Sequence, residues 1–224
     1  MRNPVALWIM LCALLLSPQG LIPRERDQKK PKLTREEKLA RELDQLERLM
    51  RDVEKYAGMK AAVLQEAAPI LAQAGELCGK ARNKLAAGET PVADRLKEAA
   101  EELLEGVERL ANARLRMRWN DGNAYPATPG QDDRREAAKE LERAYFRSAE
   151  LKFFAQRSGA DSVGRLAALS RRFYQEGRAA FDREEFFVAA QLAKASRDLS
   201  SAVEEYIQAR LPEDLPPPPK VPKE

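Results

Sequence analysis

The chain has 224 residues, enough for one or two domains with a substantial core. Its 39 basic residues nearly balance its 36 acidic ones, so the charge of +3 is well mixed, which argues against nucleic acid as a partner. The sequence has no histidine, which removes the commonest general base and the commonest transition-metal ligand. A composition rich in alanine, leucine, glutamate, arginine and lysine predicts an all-α fold with almost no sheet.

Residues 1–20 have the parts of a secretory signal peptide. Arg2 precedes an uncharged apolar run, Val5 to Leu16, and turn-forming residues follow that run. The run is shorter than the roughly twenty residues that span a bilayer, which favours export over a permanent anchor. A cleavage site ending at Gly20 is poor because Pro18 lies at the third position before the cut. An uncleaved N-terminal membrane anchor is therefore the alternative.

The next two segments are a linker and a first helix. Residues 21–33 are charged and interrupted by prolines, which predicts a solvated linker. Thr34 and Glu37 have the spacing of a capping box, so we expect a helix to start near Thr34. Its apolar positions follow a heptad-like spacing at Leu39, Leu43, Leu46, Met50, Val53 and Ala57. We interpret this seam as packing inside the chain's own bundle; the alternative is a coiled-coil dimer in a membrane-tethered spacer.

Prolines and glycines place the next two helices. We expect the second helix to start near Glu66, which would put Pro69 in its first turn, where a missing amide donor is tolerated. Gly88 should end that helix. Thr90 should cap the third helix, with Pro91 at its first position.

Two features of this first half leave alternatives open. Cys78, the only cysteine once residues 1–20 are removed, lies on an apolar face and is expected to be a small buried hydrophobe. The alternative is a reactive thiol or an intermolecular disulfide. The third helix ends in three arginines and Trp119, which predicts charge stabilisation of a helix C-terminus. The alternative there is a basic and aromatic contact with an anion or a membrane.

The second half is organised like the first. Its helices are expected to start near Asp132, Ser162 and Glu184. The predicted segments are a signal peptide over 1–20, a charged linker over 21–33, helical half 1 over 34–118, a linker loop over 119–131, helical half 2 over 132–211 and a proline-rich tail over 212–224. The tail is interpreted as a solvated end, and the alternative is a ligand for a partner domain or a spacer.

Two stretches, one in each half, align without a gap. Glu76 to Leu115 lies over Arg172 to Leu211, and the identical apolar residues keep one spacing. The identities include Arg82 with Arg178, Glu89 with Glu185, Val92 with Val188, Leu96 with Leu192, Leu103 with Leu199 and Val107 with Val203. We infer a duplicated helical hairpin. The predicted architecture is about six antiparallel helices in two three-helix halves, arranged as tetratricopeptide-like hairpins or as a bundle.

The second copy of the hairpin also carries a family resemblance. Its segment GRAAFDREEFFVAAQLAKASRDLSSAVEEY resembles tetratricopeptide-type units and, more closely, an uncharacterised family of helical-hairpin domains in bacterial envelope proteins, some of which precede OmpA-like domains. The matching residues are Gly177, Arg178, Ala179, Phe181, Phe186, Ala189, Ala190, Leu192, Ala193 and Ala195. Glu184 stands where the family has a turn glycine, and no OmpA-like domain follows in this sequence. The resemblance implies an envelope location and no particular activity.

Aromatic residues are concentrated in the second half. Adjacent rings such as Phe186 and Phe187 cannot both point into one helix seam, so some rings should form an exposed apolar patch or a groove. We therefore predict a partner-binding surface at Phe173, Tyr174, Phe181, Phe186 and Phe187.

Motifs for catalysis are missing from the sequence. It has no Gly-rich phosphate loop, zinc-type cysteine set, haem-attachment motif or serine elbow, and its carboxylate pairs, such as Glu101 and Glu102, are expected on solvent faces. We predict no catalytic, cofactor-binding or metal-binding residues. The predicted function is a non-enzymatic, exported scaffold or protein-binding module of the bacterial periplasm or cell envelope. Its partner would be a protein or peptide, and any membrane contact would be through the N-terminal segment alone.

Overall fold

The computed structural model describes residues 33–57, 61–120, 123–126, 133–158 and 161–210. Within these residues the fold is all-α, which confirms the predicted class of about six helices in two groups of three. The helices are α1 (Arg35–Ala57), α2 (Ala61–Ala86), α3 (Thr90–Leu115), α4 (Asp133–Ser158), α5 (Asp161–Asp182) and α6 (Phe186–Arg210). No helix in these ranges is both long enough and apolar enough to cross a bilayer. The predicted signal segment and the proline-rich tail lie outside the described residues.

Helices α3 and α6 form the centre of the molecule. They make the most extensive helix contact, and each also packs along the other helix of its own hairpin, α2 or α5. Gly106 lies at this contact, and a methyl group built on it would lie at ordinary van der Waals distances, 3.7 Å from the Ala195 carbonyl oxygen and 3.7 Å from Leu199. One buried apolar cluster runs through both halves, so the halves share a core. The first helices differ: α4 packs against both α5 and α6, whereas α1 packs mainly against α2.

A short β-hairpin lies in the region predicted to be the end of half 1 and the linker loop. Strands β1 (Met117–Asn120) and β2 (Asn123–Pro126) pair antiparallel, with Met117 opposite Pro126. Helix α3 ends before them because Arg116 adopts a left-handed conformation with φ of 52°. The sequence between the strands is Asp-Gly, a pair favoured in two-residue hairpin turns. The Asp-Gly pair is a hairpin signal, but this stretch has no apolar period, so the sequence predicted a linker loop here and not a hairpin.

Helix α1 begins as its sequence predicts. The backbone N–H of Glu37 donates to Thr34 Oγ1 at 3.2 Å, and the backbone N–H of Thr34 donates to the Glu37 carboxylate at 2.9 Å, which confirms the capping box. Leu39, Leu43 and Leu46 are buried in the shared core, so this part of the seam packs within the chain. The side chains of Val53 and Ala57 lie outside the described residues.

The predicted start of the second helix is wrong. Helix α2 begins at Ala61, so Pro69 is inside the helix and not in its first turn. Pro69 is exposed, and so is Gln65, one turn earlier. The Gln65 carbonyl loses its usual amide partner on the solvent side, where water can replace it, which reduces the cost of an internal proline. At the next helix, Glu89 and not Thr90 is the N-cap residue of α3.

The two hairpin turns have the same geometry. Gly88 has φ of 77° and Glu184, at the aligned position, has φ of 62°. In each turn the N–H of this residue bonds to the carbonyl three residues before it, and the next N–H bonds to the carbonyl five residues before its own, at 2.9–3.0 Å. These are the bonds of a Schellman C-cap, which requires a left-handed residue. Glutamate therefore occupies a conformation that favours glycine.

Candidate functional site

The aromatic residues predicted to bind a partner do not form one surface. Phe173 is fully buried in the shared core, so it supports the fold and is inaccessible to a partner in this conformation. The other four, Tyr174, Phe181, Phe186 and Phe187, are half-buried. Phe181 and Phe186 stack edge to face with ring centroids 5.2 Å apart. Among the described residues, the large apolar side chains classed as exposed are Leu33 and Leu49, so the rings do not make an exposed patch.

Two of the rings do line a groove at the start of α6. Phe186, Phe187 and Val188 form its apolar wall, and it has a volume of about 180 Å³. We call it the aromatic groove; its remaining lining residues are charged, namely Arg116, Asp133, Glu184 and Glu185. A groove with this apolar wall and a charged rim suits an extended segment that offers one apolar side chain between polar groups.

Two further grooves lie between the hairpins. The first hairpin groove, with a volume of about 290 Å³, is lined by Ala113, Arg114, Arg116, Glu176, Ala179, Arg183, Glu185, Val188 and Leu192. The second hairpin groove, of about 690 Å³, is lined by Lys80, Asn83, Lys84, Glu89, Val92, Leu96, Tyr206, Ala209 and Arg210. Most lining positions are equivalent in the gapless alignment: Glu176 and Lys80, Ala179 and Asn83, Glu185 and Glu89, Val188 and Val92, Leu192 and Leu96, Ala113 and Ala209, Arg114 and Arg210. Each groove thus combines one hairpin with the end of the third helix of the other half.

The charged residues at the first hairpin groove form ion pairs with one another. Arg114 donates two hydrogen bonds to Glu66, at 2.7 and 2.8 Å, and a third to Glu176, which links α3 to α2 and α5. Arg172 also binds Glu66. The Arg114 hydrogen bond, followed by the nearby positive charges, lowers the pKa of the Glu66 carboxyl despite its partial burial. Arg116 pairs with Glu185, so two of the three arginines predicted to end α3 are bound to carboxylates of the protein, while the third, Arg118, is on β1.

The second hairpin groove has a different charge arrangement. The Tyr206 ring lies between two cations, with Lys80 Nζ 5.3 Å and the Arg210 guanidinium 5.7 Å from its centroid. Lys80 also pairs with Glu76 at 2.6 Å, and Lys84 pairs with Glu89 at 2.8 Å. These lysines each have an acidic neighbour, whereas the described contacts of Arg210 include no carboxylate.

An acidic cluster lies where α3 meets α6. Glu102, Glu105 and Asp198 bring carboxylate oxygens within 4.8 Å of one another. Glu102 and Asp198 occupy equivalent positions in the gapless alignment, so equivalent acids of the two halves meet at the central contact. Burial, followed by the charge of Asp198, raises the pKa of Glu102 to about 7. Burial also raises the pKa of Asp198 to about 6, against the opposing effect of Arg197 and Arg109.

The surroundings of Asp198 define what this cluster can do. Asp198 is only 2% exposed, its Oδ1 accepts a bond from Arg197 at 3.3 Å, and its Oδ2 lies 4.0 Å from Arg109 Nε. Three carboxylates at this spacing are within reach of one cation, but the two arginines already place positive charge beside Asp198. The cluster is therefore best described as a group of partly buried carboxylates whose charge Arg197 and Arg109 offset on one side. The acidic cluster was not predicted, because Glu102 was expected on a solvent face, although the gapless alignment pairs Glu102 with Asp198.

Cys78 lies in the core of the first half. It is fully buried, and burial raises the pKa of its thiol to about 11. A neutral, inaccessible thiol is a poor nucleophile, so this environment favours the interpretation of Cys78 as a small buried hydrophobe.

Comparison with known proteins found no family model, no curated protein and no solved structure that matches the chain. The class of protein that the geometry defines is an all-helical protein with two hairpins joined through their last helices.

Proposed function

We propose that this protein is a non-enzymatic helical scaffold of the bacterial cell envelope that binds a protein or peptide partner through the aromatic groove. The described helices give a rigid frame with one shared core, which suits a scaffold. The groove combines the half-buried rings of Phe186 and Phe187 with charged neighbours. The partner chemistry that fits is an extended segment with an apolar side chain flanked by polar or charged groups.

One difference between the halves carries the proposal. The residues aligned with Phe186 and Phe187 are Thr90 and Pro91, which are favourable at a helix start. The second half has two phenylalanines there, in the first turn of α6, although neither ring has a preference for that position. Residues that do not favour the local structure, here the start of a helix, are expected at positions that serve a function. The gain here is an aromatic wall beside a charged rim.

The proposal of a non-enzymatic role has separate support. The sequence has no histidine to act as a base near neutral pH. The acidic cluster contains the two carboxyls with the most perturbed environment, but Asp198 is shielded from solvent and lies beside Arg197 and Arg109. A substrate would have to displace these contacts to reach it.

The binding proposal is tested by removing one ring. The variant Phe187→Ser should lose partners that the purified protein captures from a bacterial envelope extract, because the apolar wall formed with Phe186 and Val188 loses one of its two rings. Phe146→Ser is the matched control, since Phe146 is half-buried on α4 and does not line the groove. Both variants should keep the far-ultraviolet circular dichroism of the parent. If Phe187→Ser captures the same proteins in the same yield as Phe146→Ser, the aromatic groove is not the binding site.

Export is proposed on the apolar run after Arg2 and is tested at the N-terminus of the protein recovered from the envelope. N-terminal sequencing should show a mature start near Leu21. An intact residue 1 would instead support the membrane-tethered spacer. Burial of Leu39, Leu43 and Leu46 inside the chain weighs against the dimer seam which that spacer needs.

We also propose that the hairpin arose by internal duplication. The identical bonding of the turns at Gly88 and Glu184 and the equivalent lining of the two hairpin grooves support this origin. The first helices fall outside the proposed duplicated unit, because α1 and α4 pack differently and share no convincing residue identity.

A further inference from the structure

The two hairpin grooves differ at one decisive position. In the first groove, Glu176 binds Arg114. In the second groove the aligned pair is Lys80 and Arg210, two cations. The other acid that binds Arg114 is Glu66, and its aligned residue is Ser162. The second groove has therefore lost both carboxylates that neutralise the first.

The second groove is consequently a place that favours an added anion. Lys80 and Arg210 lie beside the same Tyr206 ring, whose face attracts cations but leaves their mutual repulsion in place. Glu76 offsets the charge of Lys80, whereas no described carboxylate contacts Arg210. At about 690 Å³ against about 290 Å³, the second groove is also the larger, which leaves room for a peptide segment.

The first groove shows where a chain goes after the third helix. Arg116, two residues beyond Arg114, lines that groove and pairs with Glu185 at 2.5 Å. The residue at the aligned position in the second half is Pro212, and Glu213 and Asp214 come directly after it. Since an extended chain advances at most about 3.6 Å per residue, both acids are tethered within about 15 Å of Arg210.

We infer that the second hairpin groove is a carboxylate-binding site and that its occupant is the acidic pair Glu213 and Asp214 at the start of the chain's own proline-rich tail. The carboxylates of Glu213 and Asp214 supply negative charge to Lys80 and Arg210, as Glu66 and Glu176 do to Arg114. Tethering raises the effective concentration of the acids at the groove to about the millimolar range, which favours them over a free ligand of the same charge. The inference does not depend on the proposed partner of the aromatic groove.

Zero-length carbodiimide crosslinking of the purified full-length chain tests the contact, because this reagent joins only carboxylates and amines that touch. Mass spectrometry should find Lys80 or Lys84 joined to Glu213 or Asp214 within monomeric protein. The pairs Lys80 with Glu76 and Lys84 with Glu89, at 2.6 and 2.8 Å, are positive controls in the same sample.

A charge reversal tests the role of the groove. Lys80→Glu should lower the yield of crosslinks from Lys84 to the tail severalfold, because it restores the acid that the first groove has. Lys139→Glu makes the same charge change at an exposed site on α4 and should leave that yield unchanged.

Three results would overturn the inference. One is the absence of tail crosslinks while the positive controls form. Another is a yield of tail crosslinks to the exposed Lys139 and Lys152 that equals the yield to Lys80 and Lys84, which would mean that the tail meets surface lysines without preferring the groove. The third is crosslinks that join two chains, which would make a second copy the occupant.

Discussion

The two hairpin grooves share their lining positions but differ in charge. In the first, Glu66 and Glu176 bind Arg114, so the charge of this arginine is neutralised by the protein's own carboxylates. In the second, Lys80 and Arg210 face the Tyr206 ring, and the groove is more than twice as large. The hairpin backbone and its apolar residues thus specify a groove in both places, while the residues equivalent to Glu66 and Glu176 decide whether the arginine of that groove is paired with carboxylates of the protein.

The two halves of the molecule also combine a part that corresponds with a part that differs. The hairpins α2–α3 and α5–α6 correspond closely, whereas α1 and α4 pack differently on them. The gapless similarity begins inside α2 and α5, runs through α3 and α6, and does not reach the first helices. Four changes can sharpen or break the comparison.

The largest expected effect comes from the core that joins the halves. Leu103 and Leu199 occupy equivalent positions and are both fully buried. Either Leu→Ala change should lower the free energy of unfolding by about 2–5 kcal/mol, because it removes apolar contacts and leaves a cavity. Urea denaturation followed by circular dichroism measures this. The control Leu49→Ala, at a 43% exposed site, should have little effect.

The shape of the urea transition adds a second test of the shared core. A single transition that moves to lower urea in Leu199→Ala is expected. Two separate transitions, with only the second half affected by Leu199→Ala, would show that the halves are independent and would contradict a continuous core.

The next effect concerns the ion pairs of the first groove. Glu66→Gln should lower the free energy of unfolding at pH 7 by about 1.5–3 kcal/mol, the range for hydrogen bonds to charged groups. Because the pKa of Glu66 is lowered in the folded state, its stabilisation is present above the unfolded pKa, near 4.3, and is lost as the pH falls through the folded pKa. The parent and the variant should therefore converge in acid.

Glu76→Gln is the matched control for this change. Glu76 is on the same helix and pairs with Lys80, but its side chain is 50% exposed, so the loss should be about 0.5 kcal/mol or less. Equal losses in the two variants at pH 7 would mean that the Arg114 ion pairs do not stabilise the contact between the halves.

The aligned turns predict a pair of opposite effects. Gly88→Ala should lower stability by about 1–2 kcal/mol, because a side chain is disfavoured at φ of 77°. Glu184→Gly should raise stability by up to about the same amount, because it relieves the same strain. Thermal unfolding measures both. If both changes destabilise the protein, Glu184 has a compensating contact, and the two turns are not energetically equivalent.

The smallest effect concerns the equivalent acids at the centre. Glu102→Gln should stabilise the protein at pH 8, on the order of 1 kcal/mol after allowance for solvent screening. The raised pKa of Glu102, about 7, means that the parent loses stability as the pH rises from the unfolded value near 4.3 through 7. Parent and variant should have similar stability at pH 4, which is the internal control. A difference that is the same at pH 4 and pH 8 would exclude a role for this ionisation.

Local signals in the sequence predicted much of the fold. Thr34 and Glu37 located the start of α1 because a capping box is a contact between near neighbours. Pro69 misled the prediction because a proline is tolerated inside a helix when the freed carbonyl faces solvent, and the sequence does not show which face is exposed. The short β-hairpin was missed because turn residues dominate its sequence.

The candidate site was predicted only in part. Phe186 and Phe187 do line a groove, as two adjacent rings that cannot share one seam should. Phe173, grouped with them, is core, because its side chain is fully buried in the apolar cluster that the halves share. The acidic cluster could not be predicted from the sequence, because Glu102 and Asp198 are far apart in the chain and meet only where α3 contacts α6.

The sequence by itself determined the helical class and the capping of α1, because these depend on residue periodicity and on bonds between residues a few positions apart. Only the tertiary structure decided that the two hairpins meet through α3 and α6, that Glu66 and Glu176 neutralise Arg114 in one groove, and that Lys80 and Arg210 bring two cations together in the other. Those outcomes depend on which distant side chains meet, and the physical reason is that the strength of charge pairing and desolvation is set by three-dimensional distance and burial, which residue spacing alone does not contain.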